Sequence, residues 1–187
     1  MTTLTLTNTP RLPLWAHGLA TISAFGLFQT AKSALDASYA ASGHPVDYVT
    51  GQTAFDAQQI EAWYAAMLTQ DTLHIYWQTQ IIDFGFIAAI MLLGLTLRTL
   101  VARLGRFGSW GRRLGYWAAG FAIAGATMDI LENLLSFIML NHPDSIPQAL
   151  AILYSSMAVA KFGLLTLAMA TLLASLITGA WSRLRGA

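Results

Sequence analysis

Residues 129–133 read Asp-Ile-Leu-Glu-Asn, and they lie inside an apolar run, 114–140, long enough to cross a bilayer. Acids and amides in hydrocarbon are expensive, so they face a bundle interior or a wet cavity. Positions i, i+3 and i+4 share one helix face. Asp129, Glu132 and Asn133 therefore make one polar patch, and Ser136 extends it by a turn. A chain built around such a patch has to wrap it with other helices.

Composition supports a membrane setting. Hydrophobic residues are 56% of the 187, and charged residues only 10%, against roughly 25% in soluble domains. The expected fold is all-α: one polytopic domain over 1–187, a four-helix transmembrane bundle with spans near 14–31, 73–98, 114–140 and 147–178. A net charge of +1 offers no basic field for nucleic acid. With no cysteine there is no disulfide and no thiolate metal site. The first ten residues hold no Lys or Arg, so the first apolar run is expected to stay as a membrane helix rather than be cleaved.

The first span opens at Pro13, and Gln29, Lys32 and Asp36 put a polar stripe at its far end. That stripe reads as snorkelling and helix termination, or as a mouth to the bundle. Residues 37–70 form the one sizeable loop, with turns at Gly43-His44-Pro45 and Thr50-Gly51. Within it Asp56 and Gln59 suit a helix start, and Ile60, Trp63, Tyr64 and Met67 recur at helical spacing. This short amphipathic helix is either an anchor lying on lipid or a lid over the bundle. His17 reads as a packed or interfacial histidine, since no second metal ligand is spaced with it.

In the second span Tyr76, Gln80 and Asp83 share a face, and Asp83 is the acid of that span. Arg98, Arg103, Arg106, Arg112 and Arg113 crowd the next connection among Gly105, Gly108 and Gly111. Together with Arg11, Arg183 and Arg185 they mark a cytoplasmic side, while Asp36, Asp47, Asp56, Glu61, Asp71 and Asp144 mark the other. The expected location is a bacterial inner membrane with both termini cytoplasmic and the 37–70 loop outside.

Depth follows from a rise of about 1.5 Å per residue. Asp83 and Asp129 come out roughly 22 and 24 Å from the cytoplasmic edge. Lys161, the charge of the fourth span, comes out about 21 Å below the outer edge. The three share a level, with Glu132 and Asn133 a turn further out. Tyr76, Gln80 and Tyr154 lie on the outer side of their own charges. Asp83, Asp129, Glu132 and Lys161 are thus candidates for an acid/base network, with Asn133, Tyr76, Gln80, Tyr154 and Ser136 as ligand-orienting groups. Ala118, Ala122 and Gly125 lie on the same face below Asp129, so that half is expected to pack tightly and any cavity to open outward.

The order of features resembles a group of small, largely uncharacterised four-span bacterial membrane proteins. The residues carrying the likeness are Thr50-Gly51, Phe55-Asp56, the stretch 76–83, Met128 through Asn133, and Ala160-Lys161. The resemblance implies topology and no chemistry.

Three functions compete. The first is a site that binds or converts a lipid-like or small amphipathic molecule. The second is an accessory subunit of a larger membrane complex, in which the polar network only fixes packing and the partners are other membrane subunits or further copies of the chain. The third is a small proton-coupled carrier, though no inverted repeat is visible. No motif names a cofactor. A hard cation at the three acids would compete with Lys161, so no metal is expected.

Overall fold

The computed structural model describes residues 13–104 and 109–184. Residues 1–12, 105–108 and 185–187 lie outside this range, and with them Arg11, Gly105, Arg106, Gly108 and Arg185. Arg103 and Arg183 are described by their backbone alone. Every regular element among the described residues is a helix: α1 (Leu14–Ala41), α2 (Tyr48–Gln52), α3 (Ala57–Thr69), α4 (Leu73–Leu104), α5 (Trp110–Asn141) and α6 (Gln148–Leu184). Three of them, α4, α5 and α6, are long and apolar enough to cross a membrane.

The first helix corrects the expected boundary. It does not stop near 31 but runs to Ala41. Lys32 and Asp36, read as a terminating stripe, form an i,i+4 ion pair on its exposed side, a spacing that supports a helix rather than ending it. The expected 37–70 loop is mostly helical too. Thr50-Gly51 is not a turn but part of α2, whose start is capped by Asp47: its carboxylate accepts from Thr50 N at 3.0 Å. Asp56 caps α3 as expected, accepting from the amides of Gln58 and Gln59.

The long helices stand in a row. α1 packs along α4, α4 along α5, and α5 along α6. Hydrogen bonds tie α1 to α4 near both ends, from His17 to Thr99 and from Ser38 to Thr79, with Phe28 against Phe86 between. Among the described residues α1 and α6 make no extended contact, so the row is open along that side.

The amphipathic helix packs its apolar face on the bundle rather than on lipid, and with the turn before it and α2 it makes one cover, a lid over 42–69, against α4 and α6. Ile60, Tyr64 and Met67 are buried among Tyr76, Met139, Leu140, Ile146 and Tyr154. Burying each such side chain is worth about 1.5–3 kcal/mol. The linker before α3 is pinned to α6. Phe55, at φ 56°, donates its N–H to Ser155 Oγ and accepts at its carbonyl from Gln148 Nε2. Gln148 Oε1 accepts from Ala57 N, and Glu61 accepts from Ile146 N. A left-handed backbone is costly for a residue with a side chain, and here it is held by bonds on both sides of the peptide unit.

The other half of the bundle is joined by small residues. A Cβ on Gly111 would stand 3.0 Å from backbone atoms of Ser175 and Gly179, and one on Gly125 would stand 3.0 Å from Leu165. Ser175 Oγ donates to the Gly111 carbonyl. Ala118, Ala119 and Ala126 are buried on the same helix.

Candidate functional site

The charges converge beneath the lid. Lys161 Nζ lies 3.0 Å from Asp129 Oδ1 and 2.5 Å from Glu132 Oε2. The first contact is an aligned hydrogen bond; the second is an ion pair outside hydrogen-bond alignment. Lysine carries three N–H donors, and the third partner is Gln52 Oε1 at 3.0 Å. Gln52 ends α2, so the lid itself completes the coordination of the lysine. Asp83 on α4 is reached from α5, where Asn133 Nδ2 donates to its Oδ2 at 2.7 Å. Asp83, Asp129, Glu132, Asn133 and Lys161 are all at least nine-tenths buried.

This geometry follows from helix register. Asp129, Glu132, Asn133 and Ser136 occupy one stripe of α5. The stripe is wide enough for Glu132 to meet α6 while Asn133 meets α4. The depth reckoning put Asp83, Asp129 and Lys161 at one level with Glu132 and Asn133 a turn outward, and the bonds run between those levels.

A cavity of about 250 Å³ opens beside the cluster, in the gap between α1 and α6. Its polar lining is Asp83, Asp129, Lys161, Gln80 and Thr79, with Gln52 and Tyr48 from the lid. Phe86, Phe162 and Leu165, from the same helices, line it as well, and the Lys32–Asp36 pair stands at the exposed mouth. The cavity therefore reaches Asp129, and its opening lies at the side between α1 and α6.

Not every candidate lines the cavity. Gln80 does, but Tyr76 and Tyr154 are packed with Tyr64 in the apolar core under α3. Ser136 is wholly buried, and its hydroxyl has no hydrogen-bond partner. Glu132 Oε1 and Asn133 Oδ1 likewise lack one. Gln52, Tyr48 and Thr79 were not among the sequence candidates. Asp47 at the head of α2 was a readable signal for the first two, since a cap there puts Gln52 on a helix facing the bundle.

Outside the spans, burial governs the lid's own titratable groups. His44 stacks on Tyr39 and lies near Tyr76 and Trp63. Desolvation holds its pKa below the ordinary 6.5, opposed by the Val46 carbonyl and Asp47. Burial also pushes the Tyr64 phenol up. Among the described residues no three His, Asp or Glu side chains gather as a metal site.

Neither a family model, nor a curated protein, nor a solved structure matches this chain.

Proposed function

We propose that this chain is a four-span integral membrane protein of a bacterial inner membrane, both termini cytoplasmic, whose lidded acid/lysine site takes the polar end of a lipid-like amphipathic molecule. The observation that carries the reading is the cavity between α1 and α6, which charged and amide groups line together with aromatic and aliphatic ones. A lining of that kind fits a molecule with a polar head and an apolar chain. The side opening faces where lipid would lie.

The assignment of α1 as the fourth span rests on its outer surface. Leu14, Trp15, Leu19, Ile22, Phe25 and Leu27 are exposed along it, and its 28 residues reach about 42 Å. On a helix packed to α4 by its other face, those side chains suit hydrocarbon. The argument against a carrier is the close approach of α5 and α6 around Gly111 and Gly125, which leaves little room for a passage on that side.

Binding is the minimal form of the reading. Conversion of the bound molecule would draw its acid/base groups from Asp83 and Asp129, which line the cavity. The test uses the full chain in detergent or nanodiscs, with single-chain amphiphiles of varied head group as probes and thermal stabilisation as the measurement. Asp129→Asn removes a partner of Lys161 and is expected to lower binding at least ten-fold. Unchanged binding in Asp129→Asn, or no binding of any amphiphile by the unaltered chain, overturns the proposal.

A further inference from the structure

The charge balance of the cluster narrows the head group, provided that the cavity is a site for an amphipathic molecule at all. Three carboxyl groups, Asp83, Asp129 and Glu132, stand against one ammonium, Lys161. That ammonium is already surrounded by three oxygens, from Asp129, Glu132 and Gln52. Two of its N–H groups are hydrogen-bonded, to Asp129 and Gln52, and the Glu132 carboxylate lies against the nitrogen as an ion pair. An anionic head would find that ammonium already ringed by oxygens and would sit among negative neighbours in a site where water screens little.

Acceptors, by contrast, are in surplus. Asp83 lines the cavity with Asn133 as its hydrogen-bond donor, and it makes no ion pair among the described residues. Glu132 Oε1 and Asn133 Oδ1 belong to wholly buried residues and have no donor. Buried acceptors left without donors are costly and rare in folded proteins. The cluster is short of both N–H groups and one positive charge.

Of these acceptors Asp83 lines the cavity while Glu132 and Asn133 do not, so a primary ammonium in the cavity supplies N–H groups to Asp83 and the missing positive charge. The space suits its size: about 250 Å³, against roughly 30 Å³ for one water in the liquid, holds a head group and a few carbons but not a whole lipid. The chain beyond those carbons would leave between α1 and α6, past Phe162 and Leu165. We propose that the ligand of this site is an amphipathic primary amine, its ammonium paired with Asp83 and its chain directed out through the side opening.

The experiment measures binding of three probes with one alkyl chain, carrying a primary amine, an alcohol or a phosphate, to the full chain in nanodiscs of uncharged lipid. Asp83→Asn is assayed alongside, a change that keeps shape and leaves an acceptor for Asn133. The expected result is a preference for the amine over the alcohol of about ten-fold or more, with the phosphate weakest, and loss of that preference in Asp83→Asn. An alcohol or phosphate bound as tightly as the amine overturns the proposal, and so does stabilisation by Na⁺ or Mg²⁺ alone equal to that by the amine. If Asp83→Asn does not fold, the ranking of the three probes on the unaltered chain still decides. Binding that favours the alcohol sinks the amine but leaves the amphiphile reading standing; binding of no probe sinks both.

Discussion

Around Gly111, α5 and α6 approach backbone to backbone, while under the lid the same two helices are joined by Asp129, Glu132 and Lys161. In the first region the contact is made by glycine, alanine and Ser175, and a methyl group would already crowd it. In the second the contact is ionic, and the neighbouring space toward α1 is a cavity. Without a hydrophobic drive between helices in lipid, small residues give association through dispersion and close approach. Charges give it through pairing that fails sharply when one member is lost. One pair of helices thus carries a packed end that fixes the crossing and a polar end that holds room. Rigidity at one end is what lets the other keep buried charge in register.

The sharpest way to break this comparison is Lys161→Met. It leaves Asp129 and Glu132 buried with their common cation gone, a loss of about 3–5 kcal/mol. Unfolding of the purified chain by heat or by denaturing detergent measures it. Adding Asp129→Asn and Glu132→Gln to Lys161→Met is expected to recover much of the loss, since a neutral polar set no longer needs the cation. A cost below about 1 kcal/mol for Lys161→Met alone would mean that the charges do not hold the lidded end.

The packed end is tested by one methyl group. Gly111→Ala places a Cβ 3.0 Å from backbone of α6, where no side chain can yield. Overpacking of this kind costs about 1–3 kcal/mol. Gly120→Ala is the control on the same helix: nothing lies within 4 Å of its added Cβ, and alanine is the better helix former. Gly120→Ala should leave stability level or slightly raised. Amphiphile binding should survive Gly111→Ala in whatever fraction folds. Equal effects of the two substitutions would remove the distinction between the ends.

How much of this could be read before the fold was seen differs between the same two ends. The packed end and the charges were legible because both depend on helix period and depth. Counting residues from the arginine-rich connection and from Pro147 put Asp83, Asp129 and Lys161 at one level; Lys161 meets Asp129, while Asp83 is met by Asn133 of the same α5 stripe. The lid was only half legible. Ile60, Tyr64 and Met67 showed an apolar face, but period alone does not say whether lipid or protein covers it. Gln52 was missed for a local reason: Thr50-Gly51 carries turn composition, but the Asp47 cap makes it helical. The extension of α1 to Ala41 goes against the terminating reading of Lys32 and Asp36, whose spacing pairs them along a helix, while their place on the cavity agrees with the other reading, a mouth to the bundle. Tyr76 and Tyr154 share faces with Asp83 and Lys161, yet they pack with Tyr64 because α3 descends between them and the outside. Tertiary contact, not period, decided the lid and the two tyrosines, whereas Gln52 and the end of α1 turned on local capping and spacing.

The smallest expected effect concerns how the lid is closed. His44 sits in the turn before α2, stacked on Tyr39, with Nδ1 3.1 Å from the Val46 carbonyl. Desolvation depresses its pKa below 6.5 in the folded chain, so the unfolded chain binds the proton more readily. Stability is then full above pH 6.5 and declines as pH falls through 6.5 toward the lowered folded value. Asp47 is also held low, by the Thr50 amide and hydroxyl, but from 3.8, so its contribution is lost only in stronger acid. His44→Phe keeps a ring against Tyr39 and removes the titration. The difference in thermal midpoint between the unaltered chain and His44→Phe should therefore shift in favour of His44→Phe as pH is taken from 7.5 to 5. Because both chains contain the same acids, any titration of Asp83, Asp129 or Glu132 over that range cancels in the difference. A difference that stays flat with pH would mean that the turn opens to water and that the lid's hold on Lys161 through Gln52 is looser than the packing around it implies.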